Sequence, residues 1–132
     1  MNTSECLKIL PLNYRHEKNF LSTSKFNSLV KLRDLKDSEI NLIMSKNSLC
    51  TASRLKKIRS MAIFMSDLNM QPHHAFILMH SGISNLKALC SLEPYVIETR
   101  INRFKRTLRL KDNNPLTLLT IKGWITKAKE LI

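Results

Sequence analysis

The sequence predicts an all-α protein. Three observations carry this expectation. Only 2 glycines and 4 prolines occur in 132 residues, whereas tight-turn β architectures usually need more of both. Leu, Lys, Ile, Met and Ala suit helices better than strands. Apolar residues also recur at helical spacing, and at 43% of the chain they suffice for a core. The length fits one compact domain or two very small ones.

An internal repeat organises the chain. Leu12-Asn13-Tyr14-Arg15 stands beside Leu68-Asn69-Met70-Gln71. Further on, Phe26, Leu29, Leu32, Leu35 and Ile40 fall opposite Ile83, Leu86, Leu89, Leu92 and Ile97, with serines ahead of both runs. The expected architecture is two tandem helical units packed as one compact domain. Residues 1–65 form the first unit with its linking helix, and residues 66–132 form the second. A solenoid would need more repeats.

Each unit reads as four helices. The first runs from about Arg15 to Ser22 and again from Pro72 to His80. Pro72 suits a first helical turn, where its missing N–H costs nothing. Gly82 suits a helix C-terminal stop. A short helix follows over Ser28 to Leu32 and Asn85 to Leu89, with Asn85 or Ser84 as cap. The third begins near Asp37-Ser38 and near Glu93-Pro94; in the second unit Ile97, Ile101, Phe104 and Leu108 form one stripe. Turn formers from Lys111 to Pro115 end it. The last helices are Ala52 to Met65, linking the halves, and Leu116 to Leu131. The first few residues are expected to fray.

Charge is the strongest functional signal. Lys and Arg number 22 against 10 Asp and Glu, a net +12, which predicts attraction to polyanions. Arg100, Arg103, Lys105, Arg106, Arg109 and Lys111 place six cations within twelve residues without an acid among them. With the apolar stripe inward, these residues are expected to cover the solvent face of their helix. Arg54, Lys56, Lys57 and Arg59 form a second cluster, and no acid occurs between Ile40 and Ser66. The two clusters are expected to contact phosphates; a solvated face that keeps the protein soluble is the competing reading. Tyr14 and Tyr95 are the only aromatic candidates for base stacking, so contact to backbone is favoured over base readout.

Other chemistry finds less support. His16, His73, His74 and His80 lack the regular spacing and fourth ligand of a metal site, so no metal or cofactor is expected. Cys6, Cys50 and Cys90 are odd in number and form no CxxC. Free thiols in a reducing, cytoplasm-like compartment are expected. No stretch is long and apolar enough for a membrane span, and the N-terminus has no signal-peptide core. Trp124 is spaced as a core residue. Met61, Met65, Met70 and Met79 either fill a junction between units or line a partner groove. No phosphate loop, GxSxG or HExxH occurs, and an enzyme is not expected.

The stretch Leu68-Asn69-Met70-Gln71-Pro72-His73-His74-Ala75, followed by Ile77-Leu78-Met79-His80-Ser81-Gly82-Ile83, resembles a helix-hairpin-helix unit. Asn69, Met70 and Gln71 stand where that superfamily has Gly-apolar-Gly. Ala75 and Gly82-Ile83 match its alanine and its terminal Gly-Ile. The longer pattern to Trp124-Ile125-Thr126-Lys127-Ala128-Lys129 resembles a bacterial domain family of unknown function related to such proteins, and is similar to the C-terminal domain of the RNA polymerase α subunit. The resemblance implies tandem helix-hairpin-helix-like (SAM-like) units and adds Asn69 and Gln71 as hairpin residues near phosphate. Both hairpin glycines, which let backbone N–H groups approach a phosphate, are replaced here. A non-catalytic nucleic-acid-binding protein is the expected function. A protein-interaction module using the hairpins and the methionines, with an acidic partner, is the alternative. Anionic lipid is a weaker third, since the basic helix has only a narrow apolar stripe, which the core needs.

Overall fold

A computed structural model describes residues 4–108 and 116–132. Its architecture is all-α: nine α-helices and one 3-10 turn, with no strand among the described residues. The elements are α1 (Ser4–Lys8), the 3-10 turn Leu12–Tyr14, α2 (Arg15–Thr23), α3 (Leu29–Arg33), α4 (Asp37–Lys46), α5 (Ala52–Asp67), α6 (Pro72–His80), α7 (Leu86–Cys90), α8 (Pro94–Leu108) and α9 (Leu118–Leu131). Two compact units result, Met1–Phe76 and Ile77–Ile132, divided within α6. Among the described residues no helix is long and apolar enough to cross a membrane.

In the first unit α5 is the central element: α1, α3 and α4 all pack on it, α3 most extensively. Leu55, Ile58, Met61, Ala62 and Met65 of α5 are buried together with Leu29, Leu32, Ile40 and Ile43 of α3 and α4. Thr51 caps α5 by accepting the Arg54 N–H, and Ser28 caps α3 by accepting that of Lys31. The element sequence analysis missed is α1, which puts Cys6 and Leu7 inside where fraying is expected.

The second unit repeats that partnership. Its short helix α7 and its long helix α8 both pack on the last helix, α9, as α3 and α4 do on α5. Asn85 caps α7 as Ser28 caps α3, and Thr117 caps α9 as Thr51 caps α5. The core holds Ile83, Leu89, Ile97, Ile101, Ile121, Ile125 and Ala128, with Trp124 buried beside them. Met61, Met65 and Met70 of the first unit and Met79 of the second are buried as well.

Two loop residues take left-handed backbone. Asn69 has φ 52°, which turns the chain so that the Met70 N–H reaches the Phe64 carbonyl at 3.4 Å. Asparagine tolerates this conformation better than other residues with a side chain. Gly82 has φ 89° and closes α6 in a Schellman arrangement: its N–H donates to Met79 O, and the Ile83 N–H to Leu78 O.

Burial also sets the thiol chemistry. It pushes the Cys6 thiol up to about 12 and raises that of Cys50 as well. Both should resist iodoacetamide in the native state at mildly alkaline pH and react only on unfolding, whereas part-exposed Cys90 should react first; mass spectrometry of timed aliquots gives the order. The two glycines should respond oppositely to alanine. Gly82→Ala should cost about 1 kcal/mol in urea unfolding, because a Cβ there meets Arg100 Nη1 only at 3.9 Å and the penalty is conformational. Gly123→Ala, in the exposed interior of α9 with nothing within 4 Å, should gain roughly 0.8 kcal/mol.

Candidate nucleic-acid interface

The basic face of α8 follows from helical phase. At about 100° per residue, Ile97 and Ile101 set a buried direction. Arg100, Arg103 and Arg106, spaced three apart, then span an arc of about 120° in which Arg103 and Arg106 lie opposite that direction and Arg100 on its flank. All three are exposed. None of their guanidinium groups forms an ion pair or hydrogen bond among the described residues. Thr99, Thr107 and part-buried Val96 share the arc, so no carboxylate of α8 interrupts it. Cations in the last turns also face the negative end of the helix dipole, which offsets part of their mutual repulsion.

Lys105 corrects the expectation that every cation of this run covers the solvent face. Its phase lies beside Ile101, and it is only 9% exposed. Arg109 and Lys111 lie outside the described residues. Tyr95 is exposed on α8, while Tyr14 is 1% exposed and offers no ring for stacking.

The first unit treats its cluster differently. Arg54 Nε donates to Glu17 Oε1 at 3.0 Å, and Glu17 is fully buried. Glu17 Oε2 also accepts the Thr51 N–H at 2.9 Å. Arg59 Nη1 donates to Asp37 Oδ1 at 2.8 Å and to the Leu35 carbonyl at 2.9 Å. That hydrogen bond and the guanidinium charge hold the Asp37 carboxyl below its usual range. Arg54 and Arg59 are therefore fastened to other elements of the fold. Lys56 and Lys57 are exposed, with Lys56 also adding to the positive field at Asp37.

Asn69 and Gln71 are exposed in the turn between α5 and α6. The Gln71 carbonyl accepts the Ala75 N–H at 3.0 Å and so closes the first turn of α6. Gln71 thus stands at the start of that helix, and Asn69 supplies the left-handed turn before it. His73 and His74 follow in the first turn, their ring centroids 4.0 Å apart. Among the described residues, no group of three His, Cys, Asp or Glu side chains is placed to hold a metal ion.

Sequence reasoning missed Glu17, the partner that decides what Arg54 does. Its only local signal was an acid in the first turn of α2, which also suits the helix dipole. Removing one member of a buried pair leaves the other without compensation. Arg54→Gln should therefore destabilise the protein by about 3 kcal/mol in urea unfolding, near the low end for buried pairs because Arg54 reaches solvent. Lys57→Gln should change stability by less than about 0.5 kcal/mol. Equal effects of the two substitutions would refute the division of the cluster.

No curated protein and no solved structure matches the chain. Residues 13–131, which take in nearly all of both helical units, match the family described as a domain of unknown function, DUF4332. The chain belongs to that family.

Proposed function

We propose that this is a non-catalytic nucleic-acid-binding protein that contacts the phosphate backbone through basic helix faces. The observation that carries the reading is the outward arc of Arg100, Arg103 and Arg106 on α8, without an acid or an internal partner among the described residues. Guanidinium groups bind phosphate oxygens in a bidentate manner. A row of them at successive helical turns suits a repeating anion better than a single carboxylate. Lys56 and Lys57 offer exposed cations on the first unit, and Arg109 and Lys111 continue the cation run of the second in sequence. The site lacks a set of exposed aromatic rings, so binding is to backbone with little base preference.

The resemblance to helix-hairpin-helix proteins adds a second element to the proposal. Asn69 adopts the backbone that a hairpin glycine would supply. In this reading the N–H groups around Asn69 and Gln71 are extra phosphate donors. The free thiols suit a reducing, cytoplasm-like compartment.

A fluorescence-anisotropy titration against labelled duplex DNA and matched RNA tests the proposal. If about six phosphates are contacted, affinity should fall by roughly a thousandfold between about 50 and 200 mM salt. Neutralising Arg100, Arg103 and Arg106 to Gln should weaken binding and flatten the log–log salt slope by about 3 on duplex DNA. No binding at the lower salt, or a triple variant that binds as tightly as the parent protein, would sink the reading.

A further inference from the structure

The first unit carries a cleft that the phosphate reading does not use. α2 packs on α1 and the 3-10 turn, while α4 packs on α5. Three adjoining cavities of about 350, 150 and 470 Å³ share lining residues end to end: the first lies between α3, the loop before it and α4, the second between α2 and α4, and the third between α2 and the loop after α4. Phe26 and Ile43 form a buried floor with part-buried Phe20 beside them. Val30 and Leu42 stand on the walls, 50% and 54% exposed. The two smaller cavities are mainly apolar and the largest, lined by His16, Asn19, Thr23, Asn47 and Ser48, is mainly polar; the elongated apolar part, around Phe20, Phe26 and Ile43, fits the apolar stripe of a third helix better than it fits a compact small molecule.

The charges around the channel select the occupant. Lys25, Lys31 and Lys46 stand along it, and all three are exposed. Lys25 lies 5.2 Å from the Phe26 ring centroid; Lys31 and Lys46 side chains have no ion pair or hydrogen bond among the described residues. The two acids on the same rim are already engaged. Asp34 accepts from Arg33 Nε and Nη2 at 3.0 and 3.2 Å, and Glu39 Oε1 accepts the Lys36 N–H at 3.0 Å. The rim therefore carries three exposed lysines against two carboxylates, Asp34 paired with Arg33 and Glu39 holding its charge beside a backbone N–H, which leaves the lysines in excess.

We infer that the α2–α4 channel docks an amphipathic helix of a partner protein, its apolar stripe on Phe20, Phe26 and Ile43 and its flanking Asp or Glu residues on Lys25, Lys31 and Lys46. Anchors one helical turn apart would lie along the channel, and the lysines would fix orientation and raise the on-rate. The surface differs from the arginine face of α8, so the inference survives or fails separately from the phosphate reading.

A displayed library of helical peptides with randomised surface positions, selected against the full chain, tests this. Enriched peptides should carry an apolar stripe at i, i+3 or i+4, and i+7, flanked by Asp or Glu. A selected peptide should shift amide resonances around Phe20, Phe26 and Leu42 in the ¹⁵N-labelled protein. Leu42→Asp should weaken it by at least about tenfold, as should Lys31→Glu combined with Lys46→Glu. The lysine pair is exposed and keeps the test valid should Leu42→Asp not fold. An empty selection, enriched sequences without acidic residues, or shifts confined to other elements would overturn the inference. So would a dimer of this chain that the Lys31→Glu/Lys46→Glu protein no longer forms, since the occupant would then be a second copy.

Discussion

The fold of the first unit depends on a carboxylate that water does not reach. Glu17 is fully buried, and taking such a charge out of water costs several kcal/mol unless it is paired and hydrogen-bonded. Both conditions are met at the N-terminus of α5. One oxygen accepts the N–H of the capping residue Thr51 and the other accepts Arg54 Nε. The helix dipole adds favourable potential at that end. The arrangement ties α2 to the helix on which α1, α3 and α4 pack, so the register of α5 follows from it. Tyr14 and Cys50 sit in the same field; burial, then the Glu17 charge, raises the Cys50 thiol.

Two further arginines fasten α5 along its length. Arg59 reaches the Leu35 carbonyl and Asp37 at the junction of α3 and α4. Arg33 of α3 reaches Ser66 and Asp67 at the other end of α5. The acids of this unit are thus largely used to hold arginines in place. What distinguishes Arg54 from Arg103 is therefore tertiary. A nearby carboxylate on another element converts the first into a clamp, and its absence among the described residues leaves the second facing solvent. The net charge of +12 does not measure the binding surface until such pairs are removed from it.

Much of the fold was legible because its determinants are local. Asn85 and Gly82 mark helix boundaries by chemistry that acts within a turn, and the structure uses both for that purpose. The paired apolar positions Leu32 and Leu89, Ile40 and Ile97 are buried on helices, and Phe26 and Ile83 are buried in the loops that precede α3 and α7. Three features were hidden because they depend on distant residues. Glu17 and Arg54 meet across 37 positions. Lys105 falls at the edge of the apolar stripe, where phase alone does not decide whether a long side chain lies inside or out. The channel between α2 and α4 arises from what those helices do not pack against.

The two proposed surfaces use one excess of charge in different ways. The face of α8 sets its arginines among threonines with no buried apolar floor such as the channel has, so the attraction proposed there is polyelectrolyte in origin and weakens wherever salt competes. The α2–α4 channel sets its lysines around Phe20, Phe26 and Ile43, so most of its binding energy must come from apolar burial, with charge guiding approach and orientation. Salt therefore distinguishes them physically: it removes the driving force of the first surface but only the steering of the second. If both proposals hold, the first surface supplies a long-range attraction to polyanions and the second a short-range preference for an amphipathic acidic helix.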